Sequence, residues 1–153
     1  MNTPIFNGPV RIQLIIPPPT YRCLYCGRPA VFTPSSASVY HGHDYGPLWV
    51  CRSCQAWVGC HADTTPLGRL ANKELRRLKA RAHAAFDALW KSGHMSRGGA
   101  YAWLAERMEV TRDQCRIGLF NEAQCLLVET VCEQWVDSWV KLLASSVAAD
   151  RVG

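Results

Sequence analysis

Cys23-Leu24-Tyr25-Cys26 and Cys51-Arg52-Ser53-Cys54 are two C-x-x-C pairs separated by 24 residues. Each pair turns two thiolates toward one point within a tight knuckle of backbone. Two pairs at this separation supply the four soft ligands of a closed tetrahedral zinc site. Gly27 follows the first knuckle, where a turn benefits from a residue without a Cβ. A pair of disulfides and a thioredoxin-like redox motif are the alternative readings of the same residues. Four thiolates leave zinc no open coordination position, so the metal is expected to hold a fold together rather than to catalyse.

Around the knuckles the chain reads as short strands and turns. Ala30-Val31-Phe32 follows the first pair, and Ser38-Val39-Tyr40 leads into the turn-rich His41-Gly42-His43-Asp44-Tyr45-Gly46-Pro47. Leu48-Trp49-Val50 enters the second pair and Ala56-Trp57-Val58 leaves it. Knuckles flanked by branched and aromatic residues predict a small β zinc ribbon over residues 23–66. So small a sheet buries too little surface to fold alone, and a metal makes up the difference.

Beyond Thr65-Pro66-Leu67-Gly68 the period changes to that of helices, which predicts a mainly α-helical region over residues 67–153 and an α+β fold class overall. Asn72 is a good N-cap, and Leu75, Leu78, Ala82, Phe86 and Leu89 form one stripe of a helix that runs to Trp90 or Lys91, with Gly93 as its stop. A short helix is expected over 100–108, another turn from Thr111 to Gln114, and a long helix over 122–148 capped by Asn121 with Gln124 at the matching third position. Cys125, Val128, Cys132, Trp135, Trp139 and Leu142 make a heptad-like seam on that last helix. Val136, Val140, Leu143 and Val147 form a second apolar row beside it, more than one neighbouring helix needs. Trp135 and Trp139 are therefore candidates for binding a protein partner or a second copy of the chain. Residues 1–22 contain Pro4, Pro9 and Pro17-Pro18-Pro19 and read as an extended lead-in, with a short strand over Ile12–Ile16.

The 153 residues carry a net charge of +5, unevenly placed. Residues 67–97 hold eight Lys and Arg against Glu74 and Asp87, a net +6, whereas residues 98–153 are net −3. Lys73, Arg76, Arg77 and Lys79 crowd the first turns of the first long helix, where cations oppose the helix dipole at a cost of about 0.3–1 kcal/mol each. With Arg28, Arg52 and Arg69 they are the candidate nucleic-acid-binding residues, and Arg22 or an exposed Tyr25, Tyr40 or Tyr45 would add phosphate contacts or base stacking. The bland alternative is a solvated helix face.

Cys60-His61 lies close enough to the second knuckle to raise the question of a supplementary ligand, but two complete pairs already satisfy zinc. His41-Gly42-His43-Asp44 sits where zinc-stabilised HNH nucleases place a catalytic hairpin, yet the further His and Asn of such a motif are absent. No H-E-x-x-H, Walker loop, G-x-S-x-G or dinucleotide fingerprint occurs, and the expectation is a non-enzyme. Cys115, Cys125 and Cys132 read as small core residues. Eight cysteines without a signal-like N-terminus, and no apolar run near the ~20 residues of a membrane span, point to a reducing cytoplasm and no membrane.

Taken together, Cys23-x-x-Cys26-Gly27, Asp44-Tyr45-Gly46-Pro47, Trp49-x-Cys51-x-x-Cys54, Ala56-Trp57-Val58-Gly59-Cys60-His61 and Thr65-Pro66-Leu67-Gly68 form a specific pattern. It continues through Ala82-His83-Ala84-Ala85-Phe86-Asp87-x-Leu89-Trp90, Ala100-Tyr101-Ala102-Trp103-Leu104-Ala105, Ile117-Gly118-x-Phe120 and Cys125. The stretch of about 23–133 resembles a zinc-finger-containing family of unknown function found in bacteriophages and prophages. The resemblance implies a four-cysteine finger binding Zn2+ and a phage origin, hence the cytoplasm of a host cell, and assigns no activity. The family pattern has a His before Ile117 and an Asp after Phe120, where this chain has Arg116 and Asn121. Two functions are expected. The first is nucleic-acid binding through the ribbon and basic helix. The second is a protein-interaction module or inhibitor that engages a host, phage or defence protein, or itself, through the C-terminal helices. A zinc-stabilised nuclease is a distant third.

Overall fold

The computed structural model describes residues 21–151, and the short strand expected within the first 20 residues lies outside them. The fold is α+β. Three strands, β1 (Val31–Thr33), β2 (Leu48–Cys51) and β3 (Ala56–Gly59), form an antiparallel sheet in the order β1-β2-β3. Three helices follow: α1 (Lys73–Lys91), α2 (Arg97–Arg107) and α3 (Glu122–Asp150), with a 3-10 turn at Ile117–Leu119 before the last.

The sheet is built around the cysteines. β2 and β3 pair as a hairpin with Trp49 opposite Val58 and Val50 opposite Trp57. Its turn is the second knuckle, closed by Gln55 at φ +49. The first knuckle is closed by the amide of Gly27 donating to the Cys23 carbonyl (2.8 Å), with Gly27 at φ +73, as a residue without Cβ readily allows. Between β1 and β2 the chain winds into turns through Ser38-Val39-Tyr40 despite their β-forming character. Ser36 is fully buried there, donating to Asp44 and accepting from the Tyr45 amide. Local side-chain bonds of this kind outbid a ladder.

The Asn72 side chain accepts from the Leu75 amide, and Leu75, Leu78, Ala82, Phe86 and Leu89 are the buried stripe of α1. α2 begins at Arg97, earlier than the apolar pattern suggests, because Ser96 caps it by accepting from the Gly99 amide. The Thr111–Gln114 bonds form in both directions at 3.3 Å, but the chain completes one turn and continues into the 3-10 turn. Asn121 and Gln124 form a full capping box at the start of α3.

Two separate cores result. One is made of α1, α2, the 3-10 turn and the first half of α3, and includes Phe86, Leu104, Ile117, Val128 and the three buried thiols Cys115, Cys125 and Cys132. The other lies under the sheet and includes Cys23, Trp49, Cys51, Ala56 and Leu70. They meet along the connector before α1. Trp57 and Ala71 exchange backbone hydrogen bonds (3.1 and 3.0 Å), and Gly68 packs against the 3-10 turn so closely that a Cβ there would come 2.2 Å from the Gly118 carbonyl oxygen. α3 has 29 residues against 19 in α1, so at 1.5 Å per residue it outruns its partner by about 15 Å. Past Trp135 every described residue of α3 is exposed.

Candidate metal centre and basic groove

The Sγ atoms of Cys23, Cys26, Cys51 and Cys54 all lie within 4.8 Å of one another. Cys23 and Cys51 approach from the buried side, Cys54 is half-buried, and Cys26 closes the cluster from solvent. The Cys26 and Cys51 sulfurs are 3.7 Å apart. A regular tetrahedron with Zn–S bonds of 2.3 Å has edges of about 3.8 Å, so this spacing fits a shared metal, and is far longer than the ~2.05 Å of a disulfide. All eight cysteines are free.

The electrostatics point the same way. The Arg28 amide donates to the Cys26 sulfur and holds its thiol down to about 7, whereas burial and the neighbouring sulfurs push Cys54 up to about 12. Four thiols this close resist joint ionisation, and a divalent cation removes the conflict by neutralising the thiolates. Arg28 also ties the knuckles together, its guanidinium donating to Ser53 Oγ (2.9 Å). Cys60 stands apart from the cluster, its thiol directed at the Pro47 carbonyl (3.4 Å), and His61 is exposed. Among the described residues no other three His, Cys, Asp or Glu side chains converge as metal ligands do.

The seven cationic candidates separate into two groups. Arg52, Lys73 and Arg76 line one concavity of about 620 Å³ between the hairpin and the start of α1, together with His41, Gln55 and Trp57, and no carboxylate lines it. The Arg76 guanidinium carbon sits over the Trp57 indole, 3.5 Å from the ring centroid, and the group donates to the carbonyls of Gln55 and Ala71. The other four are placed elsewhere. Arg28 braces the knuckles, and Arg77 pairs with Glu74 at 2.7 Å. Arg69 is half-buried, and Lys79 turns inward to donate to the carbonyls of Gly118 (2.8 Å) and Arg69 (3.3 Å). Tyr25 is likewise engaged, accepting from the Asn72 amide and donating to Glu122, whereas Tyr45 is exposed. Trp57 is the groove residue that sequence reasoning missed. Its place beside Arg76 depends on the Trp57–Ala71 pairing, a contact with no sequence signal.

Trp135 and Trp139 stack with planes 3° apart and centroids 5.9 Å apart, and His94 rests against both. Trp139, Val136, Val140, Leu142, Leu143 and Val147 are all exposed. No helix among the described residues is long and apolar enough to cross a membrane.

No curated protein and no solved structure matches the chain. Residues 19–134, which span the cysteine cluster, the groove and the helices up to the buried half of α3, match the model of one family, described as a zinc-finger-containing domain. The chain belongs to this zinc-finger-containing domain family.

Proposed function

We propose that this is a zinc-binding protein that engages nucleic acid, with Cys23, Cys26, Cys51 and Cys54 holding a structural Zn2+ and the groove between the hairpin and α1 receiving the phosphate backbone. The observation that carries the reading is the groove itself: Arg52, Lys73 and Arg76 beside an aromatic ring, with no lining carboxylate. Guanidinium and ammonium groups neutralise phosphates and release counterions, and the indole and stacked guanidinium supply a platform for a base. The zinc would fix the hairpin that carries Arg52 and Trp57 and take no part in a reaction.

Titration of labelled single- and double-stranded DNA and RNA at several salt concentrations tests this. Binding at low salt should weaken linearly in log–log form, and Arg52→Ala or Lys73→Ala should lower the slope by about one each. Absence of binding at low salt to every one of these ligands would end the proposal.

A second reading rests on the free half of α3. Val136, Val140, Leu143 and Val147 follow a 4-3-4 spacing. When two copies of this helix run antiparallel, that spacing brings Val136 opposite Val147 and Val140 opposite Leu143 of the other copy, with Trp139 opposite the small Ala144. A self-complementary seam suits a symmetric two-fold contact. It would present two basic grooves on one particle. In the phage setting implied by the sequence resemblance, the same face would instead meet a host protein.

A further inference from the structure

On the helical core a second concavity, of about 430 Å³, gathers His83 from α1, Arg97 and Tyr101 from α2, Arg112 from the turn after it, and Arg116 at the entry to the 3-10 turn. No carboxylate lines it. Among the described residues, the ion pairs take up Arg77, Arg81 and Lys91, and no hydrogen bond engages the guanidinium of Arg97, Arg112 or Arg116. Three unneutralised cations therefore border one hollow.

Two of these exposed arginines rest on an aromatic ring. Tyr101 has the Arg112 guanidinium 4.3 Å from its ring centroid and that of Arg97 at 5.3 Å, so one aromatic ring seats both. The ring is itself fixed against the buried Phe86, 4.7 Å away. The floor at Ile117-Gly118 is equally rigid. The Gly118 carbonyl accepts from the Arg69 amide (3.1 Å) and from Lys79 Nζ (2.8 Å), and Gly68 packs against it with no room for a Cβ. Two guanidiniums drawn to one ring repel each other, and an anion between the arginines relieves that repulsion. Planar forks that donate in pairs match the oxygens of a phosphate. Three of them around a single hollow, rather than strung along a track, suit the dianionic charge of a monoester more than the single charge of a diester.

We propose that this pocket binds a terminal phosphate monoester, with Arg97, Arg112 and Arg116 as its donors and His83 at the rim beside the attached group. The monoester would come either from a free mononucleotide or from the 5′ end of a nucleic-acid strand. The pocket's volume falls within the range of small-ligand sites. The site uses none of the groove residues and stands whether or not the groove binds nucleic acid.

Calorimetric titration of the zinc-loaded protein with AMP and with inorganic phosphate tests the free form. Titration with one oligonucleotide carrying either a 5′-phosphate or a 5′-hydroxyl tests the strand end. Arg112→Gln and Arg116→Gln change exposed side chains, and their helical circular dichroism and melting should match the parent. Heat on adding AMP that falls at least tenfold in both variants supports the pocket with a free nucleotide as its source. A preference of fivefold or more for the phosphorylated end, lost in both variants and kept in Arg52→Ala, supports it with a strand end as its source. The proposal is overturned when neither AMP, phosphate nor a 5′-phosphate is preferred, and equally when a preference survives Arg112→Gln and Arg116→Gln unchanged.

Discussion

The hydroxyl of Tyr25 donates to Glu122 across 3.2 Å, joining the first cysteine knuckle to the opening turn of α3. The same oxygen accepts from the amide of Asn72, the N-cap of α1. One knuckle residue thereby touches the N-terminal ends of both long helices. Burial, more than any neighbouring charge, raises the Tyr25 hydroxyl above its usual range, so it remains a donor to Glu122 at neutral pH. Tyr25→Phe removes both bonds and leaves the ring. Because the bonds are partly solvent-exposed, the expected loss is about 1 kcal/mol in urea denaturation, with no loss of zinc. A drop in zinc content would show that the hydroxyl supports the metal site rather than the helices.

Separation of the two cores makes the metal's influence local. Cys23 and Cys51 belong to the core under the sheet, while the helical core draws on no residue of the knuckles. Cys51→Ser should release zinc and dissolve the hairpin, changing Trp49 and Trp57 fluorescence, yet retain most of the helical signal at 222 nm. Chelation should do the same to the parent protein. Loss of the helical signal in step with zinc would mean that the two cores fold as one unit.

What was legible in the chain follows from how local each determinant is. The four thiols, the Asn72 and Asn121 caps and the Leu75–Leu89 stripe are encoded by spacings of a few residues, and the structure places each where its spacing implies. The groove was only partly legible. Lys73, Arg76, Arg77 and Lys79 are close in sequence, but a helix sends them in different directions, and Lys79 finds one carbonyl in the connector before the helix and another in a turn 39 residues later. Trp57 joins Arg76 only because the connector pairs Ala71 with β3. The pocket of Arg97, Arg112 and Arg116 is assembled from two elements and the turn between them, with no motif to announce it.

The inward course of Lys79 separates stability from binding. Its ammonium serves the carbonyls of Gly118 and Arg69 at the junction of connector and 3-10 turn. Lys79→Met would take the ammonium from the Arg69 carbonyl and leave the Gly118 carbonyl with the Arg69 amide alone, and charge-assisted bonds of this kind are worth about 1.5–3 kcal/mol. Lys73 is exposed and forms no ion pair among the described residues. Lys73→Met should therefore leave the urea midpoint within about 0.5 kcal/mol of the parent and weaken nucleic-acid binding. Lys79→Met should lower the midpoint and leave the salt slope unchanged. The reverse pattern would assign Lys79 to the binding surface.

Burial pushes the Cys132 thiol up to about 12, with a smaller contribution from Glu133. The folded chain therefore keeps this proton across a pH range in which the unfolded chain, with an ordinary thiol near 9, gives it up. Stability attached to the proton is complete below pH 9 and falls as pH rises from there toward 12, by up to about 1.4 kcal/mol per pH unit. Cys132→Val removes the titrating group from the apolar seam. Its unfolding free energy should fall less steeply between pH 9 and 11 than the parent's. Parallel curves for the two proteins would show that Cys132 carries no part of the alkaline loss.

The free half of α3 offers a contrast between two exposed residues on one helix. Val140 lies on the 4-3-4 seam and Leu142 lies off it, and both are more than half exposed. Neither supports the core, so Val140→Asp and Leu142→Asp should melt like the parent. A seam-to-seam contact between two copies predicts different assembly: sedimentation of the parent should show dimers at tens of micromolar, Val140→Asp should sediment as a monomer, and Leu142→Asp should remain dimeric. A charge at Val140 faces Leu143 of the other helix twice per dimer, so the two-fold contact doubles the penalty. A parent that stays monomeric at these concentrations would reserve this face for a different protein, and equal dissociation by the two variants would rule out the antiparallel register.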